Sequence, residues 1–152
     1  MITSDTCLLD ANVLVYAENE NVKQHAASRK LVESGLNGEI SLCLIPQVLS
    51  EFFTTITNPK QVTSILTHEN AISEIEDCFL KGECDLIFLH RNSIDKIIEL
   101  LKKYHVSAQD IFDLQLVATK LSNNVARIYT YNEKDFARYS EIEVLNPESA
   151  IK

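Results

Sequence analysis

The chain has 152 residues, 45% hydrophobic and 24% charged, and a formal net charge of -8. That length is one domain's worth and enough to bury a core without disulfide help, and no apolar run reaches membrane-spanning length, which argues against a membrane protein. The acidic balance lacks the basic footprint of non-specific nucleic-acid binding, yet it is compatible with a metal site, with basic groups gathered on one face, or with a basic partner.

The first residues, Ile2-Thr3-Ser4-Asp5, lack the basic start of a secretory signal. Cys7, Cys43, Cys78 and Cys84 include no CxxC pair; they read as reduced thiols of a cytoplasmic protein. No low-complexity stretch, repeat or Pro/Gly-rich linker divides the chain, so residues 1–152 are read as a single domain.

Cys7-Leu8-Leu9 reads as a buried strand that ends abruptly in Asp10, with a helix or turn from Asn12 to Ala17. A helix over Val22 to Ser34 is expected to stop at Gly35 and Gly38, and Ile40 to Ile45 is a strand. Pro46 opens a helix with Val48, Leu49, Phe52, Phe53 and Ile56 as its apolar stripe, Glu51 at the stripe's edge and Asn58-Pro59 as its stop. Thr67 caps a helix reaching Lys81; Asp85 to Leu89 is a strand; Ser93 to Tyr104 is a helix turning Ile94, Ile97, Ile98 and Leu101 inward. Ser107-Ala108-Gln109-Asp110 has the spacing of a capping box and opens a helix to about Ser122. Ala126 to Thr130 is a strand, Asn132 to Tyr139 a short helix capped by Asn132, and Ile142 to Leu145 a last strand. Strands alternating with helices predict an α/β fold, a parallel sheet between helix layers, with any site outside the carboxyl ends of its strands.

Four acids stand out against that frame. Asp10 ends the first strand and could cap the following helix or bind a cation. Glu51 lies one helical turn past Gln47. Asp113 sits in Ile111-Phe112-Asp113-Leu114-Gln115-Leu116-Val117-Ala118, a helix apolar on nearly every face, where a carboxylate needs a partner. Asp135 follows Asn132 by three residues and could be a site residue or part of a cap. Two carboxylates at about 5 Å repel by roughly 3 kcal/mol at an effective dielectric near 20, so three or four together require a cation or protons. All-oxygen donors select Mg²⁺ or Mn²⁺ over zinc. Asn12, Thr130, Asn132 and Asp110 are candidates for support around these acids. His25, His68, His90 and His105 show no ligand spacing, and neither a GxSxG elbow nor a Gly-rich phosphate loop is present.

LLDANVLVYA around Asp10, VLSEFFTTITNP around Glu51, DIFDLQLVAT around Asp113 and IYTYNEKDF around Asp135, followed by EVLNP, resemble a PIN-domain ribonuclease of the VapC toxin type. The resemblance spans about Thr3 to Pro147. It implies a Rossmann-like three-layer sandwich with sheet order 3-2-1-4-5 and a Mg²⁺- or Mn²⁺-dependent endoribonuclease. Asp10, Glu51 and Asp113 match the family's most regular acids; the fourth position falls on Asp135 or Asn132. Asn12 and Thr130 match frequent polar site residues. The family's reaction is in-line attack of water on an RNA phosphate, leaving 5′-phosphate and 3′-hydroxyl ends. Family toxins are commonly held by an antitoxin whose basic segment enters the acidic groove, and they often form homodimers.

Two other classes compete. A PIN-like module with little or no activity would bind RNA or protein without cutting. A phosphatase of the haloacid dehalogenase type also begins with an aspartate after strand one, but it normally has a second aspartate where this chain has Asn12. Lys60, Lys120, Arg127, Lys134 and Arg138 are candidates for phosphate contacts, with a solvated surface as the simpler role of each.

Overall fold

The computed structural model describes residues 1–151. Strands β1 (Cys7–Leu9) and β2 (Leu42–Leu44) are buried at every position. A strand with no polar alternation is covered on both faces, as the middle strands of a parallel sheet are. β3 (Asp85–Leu86), β4 (Arg127–Tyr129) and β5 (Glu143–Leu145) complete the sheet. Its order is β3-β2-β1-β4-β5 and every pairing is parallel, as the alternating elements and the family resemblance led us to expect.

Seven α-helices connect the strands: α1 (Ala11–Ala17), α2 (His25–Leu36), α3 (Pro46–Ile56), α4 (His68–Glu76), α5 (Arg91–Lys103), α6 (Asp110–Ser122) and α7 (Glu133–Phe136). Chain direction reverses across the sheet after β3, so right-handed crossovers put α1 to α4 on one face and α5 with α6 on the other. The contacts agree: α1 packs on α2 and α3, and α5 packs on α6. Strand order changes direction between β1 and β4, and the crevice outside their carboxyl ends is where such sheets place a site.

Several local expectations change. Gly35 lies inside α2, which runs on to Leu36. A Cβ at Gly35 would run into the Leu42 side chain, so this glycine allows close helix–strand approach, and Gly38 (φ +75°) makes the turn out of the helix. Thr67 does cap α4, accepting from the Asn70 N–H at 3.1 Å. The stretch beyond Glu76 is a π-helical turn, Asp77–Lys81, whose wider winding buries Cys78 and Phe79 together. β3 stops at Leu86, although the Ile87 N–H still donates to the Leu44 carbonyl at 2.9 Å.

The inward face of α5 agrees with expectation only at Ile97, which packs half-buried against the core. Ile94, Ile98 and Leu101 are exposed, and Ser93 and Leu100 are buried instead. Ser93 Oγ accepts from the His90 N–H at 3.0 Å and lies 2.6 Å from Ser122 Oγ. That polar tie sets the helix's rotation on α6, with Ile94 and Ile98 outward. The capping box expected at Ser107 does not form. Ala108 adopts a left-handed backbone (φ 49°), the first helical residue is Asp110, and no side chain caps α6. Nor is α6 buried all round: Phe112 is exposed and Asp113 half-buried, and continuous burial begins only at Leu116.

Lys120 is not a phosphate contact. It is fully buried, with Nζ donating to the Val125 carbonyl at 3.4 Å, and burial pulls its pKa down to about 7. Arg127 is equally unsuited, since it starts β4 at the sheet's opposite end and pairs with Glu143 at 3.0 Å. All four cysteines are free thiols. Among the described residues no helix is long and apolar enough to cross a membrane.

Candidate active site

Because β1 and β4 are neighbours in register, the residues that follow them, Asp10 and Thr130, emerge side by side. The ladder runs one bond further, with the Asp10 N–H donating to the Tyr129 carbonyl at 3.0 Å. Asp10 then starts α1: its Oδ1 accepts from the Ala11 N–H at 2.8 Å. Oδ2 accepts from Thr130 Oγ1 at 2.8 Å and from Asn12 Nδ2 at 3.3 Å. Cap and site are therefore not alternatives for this residue. Three donors occupy three of the roughly four lone-pair positions of a carboxylate, which leaves about one for a cation.

Thr130 and Asn12 form the frame around it. Thr130 is fully buried; its Oγ1 receives Asn12 Nδ2 at 3.2 Å and the Asn132 N–H at 2.9 Å. Asn12 Oδ1 accepts from the Tyr131 N–H at 3.3 Å. The loop after β4 is thereby bound to the start of α1. Asn132 precedes α7 as expected, but its side chain makes no capping bond and faces the cleft instead.

Glu51 is half-buried on α3 and held by Gln47, whose Nε2 donates to Oε1 at 3.0 Å and to the Phe112 carbonyl at 3.2 Å. Gln115 Nε2 in turn donates to Gln47 Oε1 at 3.3 Å. These two glutamines, which the sequence alone did not mark, tie α3 to α6 beside Glu51. The i, i+4 spacing of Gln47 and Glu51 was the signal that could have found the first; nothing local marked Gln115. Asp135 is exposed on α7. Asp110 is also exposed and pairs with Arg138 Nη2 at 3.5 Å, at the rim.

The acids lie within one another's electrostatic reach. Burial, before all else, raises the Asp10 pKa to about 6; the charges of Glu51 and Asp135 push the same way, while the Thr130 and Ala11 donors oppose. Asp113 also rises to about 6, first through burial, then through Asp135, Asp10, Glu51 and Asp110. Acids from α1, α3, α6 and α7 thus share one field at the carboxyl end of the sheet. Among the described residues, no three of these side chains close into a ready-made ion cage. A cation that keeps several of its waters and takes one or two carboxylates directly needs no such cage. The donor set is all oxygen, which suits a hard divalent ion.

From Asp10 and Glu51 a cleft of about 630 Å³ extends along α1 and α3.

The comparisons with known proteins agree with this architecture. A family model described as PIN domain matches residues 7–142. Ribonuclease VapC24 of Mycobacterium tuberculosis is 25% identical over 140 residues, covering 91% of this chain and 94% of that protein. Ribonuclease VapC43 of the same species is 25% identical over 139 residues, covering 91% and 93%. Among solved structures, M. tuberculosis VapC20, a sarcin-ricin loop cleaving toxin, superimposes with a TM-score of 0.64 at 14% identity, over 90% of this chain and 98% of that one. VapBC2 from Rickettsia felis, bound to a promoter DNA fragment, gives 0.62 at 18% identity, over 93% and 98%. These two likenesses speak to fold, whereas the family match covers most of the sequence. The chain belongs to the PIN domain family.

Proposed function

We propose that this protein is a divalent-metal-dependent endoribonuclease and the toxin of a toxin–antitoxin pair, acting in the cytoplasm. The observation that carries the reading is the gathering of Asp10, Glu51, Asp113 and Asp135 at the carboxyl end of a PIN-family sheet, where Asp10 and Asp113 each raise their pKa to about 6. Relatives along nearly the whole chain bear the name ribonuclease. Solved complexes of similar fold include a toxin–antitoxin complex from Klebsiella pneumoniae and VapBC-1 from Haemophilus influenzae.

In this reading Asp10 and Asp113 hold Mg²⁺ or Mn²⁺ directly, and Glu51 and Asp135 hold a second ion or orient water. The bound cation would lower the pKa of a water and neutralise charge on the phosphate. Thr130 and Asn12 aim Asp10 by donating to Oδ2, and Gln47 holds Glu51 by donating to Oε1. With a net charge of -8 and an acidic cleft, the protein suits an antitoxin that inserts a basic segment. The exposed face of α5, Ile94, Ile98 and Leu101 at i, i+4, i+7, suits a second copy of the chain as its cover.

One observation favours a second reading, a PIN-like module that binds without cutting: Asp135, the fourth acid of the set, is exposed on α7. Incubation of purified protein with structured RNAs, in Mg²⁺, in Mn²⁺ and in excess chelator, separates the two. The expected result is cutting that the chelator stops and that Asp113→Asn abolishes while leaving the fold intact. Mn²⁺ binding with no cleavage of transfer or ribosomal RNAs would give the binding module precedence.

A further inference from the structure

The cleft that begins at Asp10 and Glu51 is longer than a phosphate and its ions require. At about 630 Å³ it falls within the roughly 300–1,000 Å³ of sites that enclose drug-sized ligands. Its far arm has an unusual lining for a ribonucleic-acid surface: none of the residues along it is Lys, Arg or His. Phosphates are held chiefly by cationic side chains and helix N-termini, so this arm is not built for the backbone. Tyr16, Asn19, Thr55 and Gln61 line it instead, above an apolar floor that includes Val15 and Val62.

Asn19 is the telling residue. Only 6% of the residue is exposed, and because no sealed side-chain polar atom lacks a partner among the described residues, that exposure includes its NH₂ group, on the lining of the cleft. Its oxygen accepts from the Asn21 N–H at 3.1 Å, but among the described residues its NH₂ group makes no hydrogen bond. Tyr16 is half-buried on the same arm and held edge-on by Tyr131, with ring centroids 5.1 Å apart and planes at 77°. An immobilised ring face beside an unused amide donor is how proteins hold an unpaired base, by stacking and by hydrogen bonds to its edge.

We propose that this arm is a base-reading subsite, which holds one unpaired nucleobase of the RNA beside the bond to be cut. The inference rests on the nuclease reading for the position of that bond, and it makes single-stranded RNA, a loop or an unpaired end, the substrate class. Asn19 is a specificity residue whose NH₂ donates to a ring nitrogen or carbonyl of the base, and Tyr16 supplies the stacking face.

The test has two arms. In the first, the four nucleosides and free ribose are titrated against the wild-type protein in chelator while the Asn19 and Tyr16 resonances are followed by NMR. Nucleosides carry no phosphate, so neither metal nor charge enters. At least one is expected to shift both residues where ribose does not. Asn19→Asp keeps the oxygen that the Asn21 N–H needs and removes the donor; it should weaken that nucleoside by about five- to tenfold, the worth of one hydrogen bond. Tyr16→Phe should bind as wild type, and Tyr16→Leu more weakly, with circular dichroism confirming that each variant folds. No nucleoside response, or affinities indifferent to Asn19→Asp, would overturn the subsite. In the second arm, cleavage of a randomised single-stranded RNA pool in Mg²⁺ is sequenced, and Asn19→Asp is expected to erase a base preference at one position. Cutting without any nucleoside response would leave the nuclease standing and remove the subsite. Nucleoside binding without cutting would do the reverse.

Discussion

Thr130 and Asp10 lie 120 positions apart in the chain, and Thr130 Oγ1 donates to Asp10 Oδ2 across 2.8 Å in a fully buried setting. The same oxygen takes the Asn132 N–H at 2.9 Å. One hydroxyl therefore aims the first acid and positions the loop that leads to the fourth.

Thr130→Val keeps the shape and deletes these bonds together with the one Oγ1 accepts from Asn12 Nδ2. A hydrogen bond to a charged group contributes roughly 1.5–3 kcal/mol, so the urea midpoint should fall by an equivalent amount. The loss should be much smaller in an Asp10→Asn background, because the charge that the hydroxyl serves is gone. Equal losses in both backgrounds would mean that Thr130 matters only for packing.

The raised acids give stability a pH dependence of definite sign. Asp10 and Asp113 hold protons more tightly in the fold than their ordinary value of 3.8 allows, with pKa values of about 6. Their contribution is complete below pH 3.8 and is lost as pH rises through 6. For the buried Asp10 the loss is about 3 kcal/mol. In chelator the melting temperature of the wild type should thus fall between about pH 4 and 7 relative to Asp10→Asn, and Mg²⁺ should restore it at the upper end. Parallel melting curves for the two proteins over that range would count against an acidic cluster.

Lys120 carries the opposite sign. Burial lowers its pKa to about 7 from 10.5, so the fold binds fewer protons than the unfolded chain between those values and loses stability as pH falls toward 7. Lys120→Met fills nearly the same space with no charge to desolvate. It should stabilise the protein at pH 7 by roughly 1–4 kcal/mol, as apolar replacements of buried charges often do. The gain should shrink by about pH 9, measured by denaturant unfolding at both values. A loss of stability at pH 7 would show that the ammonium has a partner worth more than its desolvation.

The sequence by itself determined the parallel α/β architecture and offered four acids as candidates for the site. Those features are local: an apolar run closing on Asp10, a stripe with Glu51 at its edge, and Asp113 where a helix of apolar side chains holds one carboxylate. Their order and spacing carried the family. What only the tertiary structure decided was which faces meet. The rotation of α5 follows from the bond between Ser93 and Ser122, 29 residues apart, and no hydrophobic pattern within the helix could announce it. Lys120 reads as a surface residue because lysine is seldom buried, and only the packing of α6 on the sheet encloses it. Gln47 and Gln115 matter because two helices distant in sequence lie one hydrogen bond apart. Asn19 looks like any loop asparagine until the fold buries most of it and leaves its NH₂ group open to the cleft beside α3. Burial and partnership are properties of the assembled chain, since a side chain's solvent is replaced by whatever the rest of the fold brings to it.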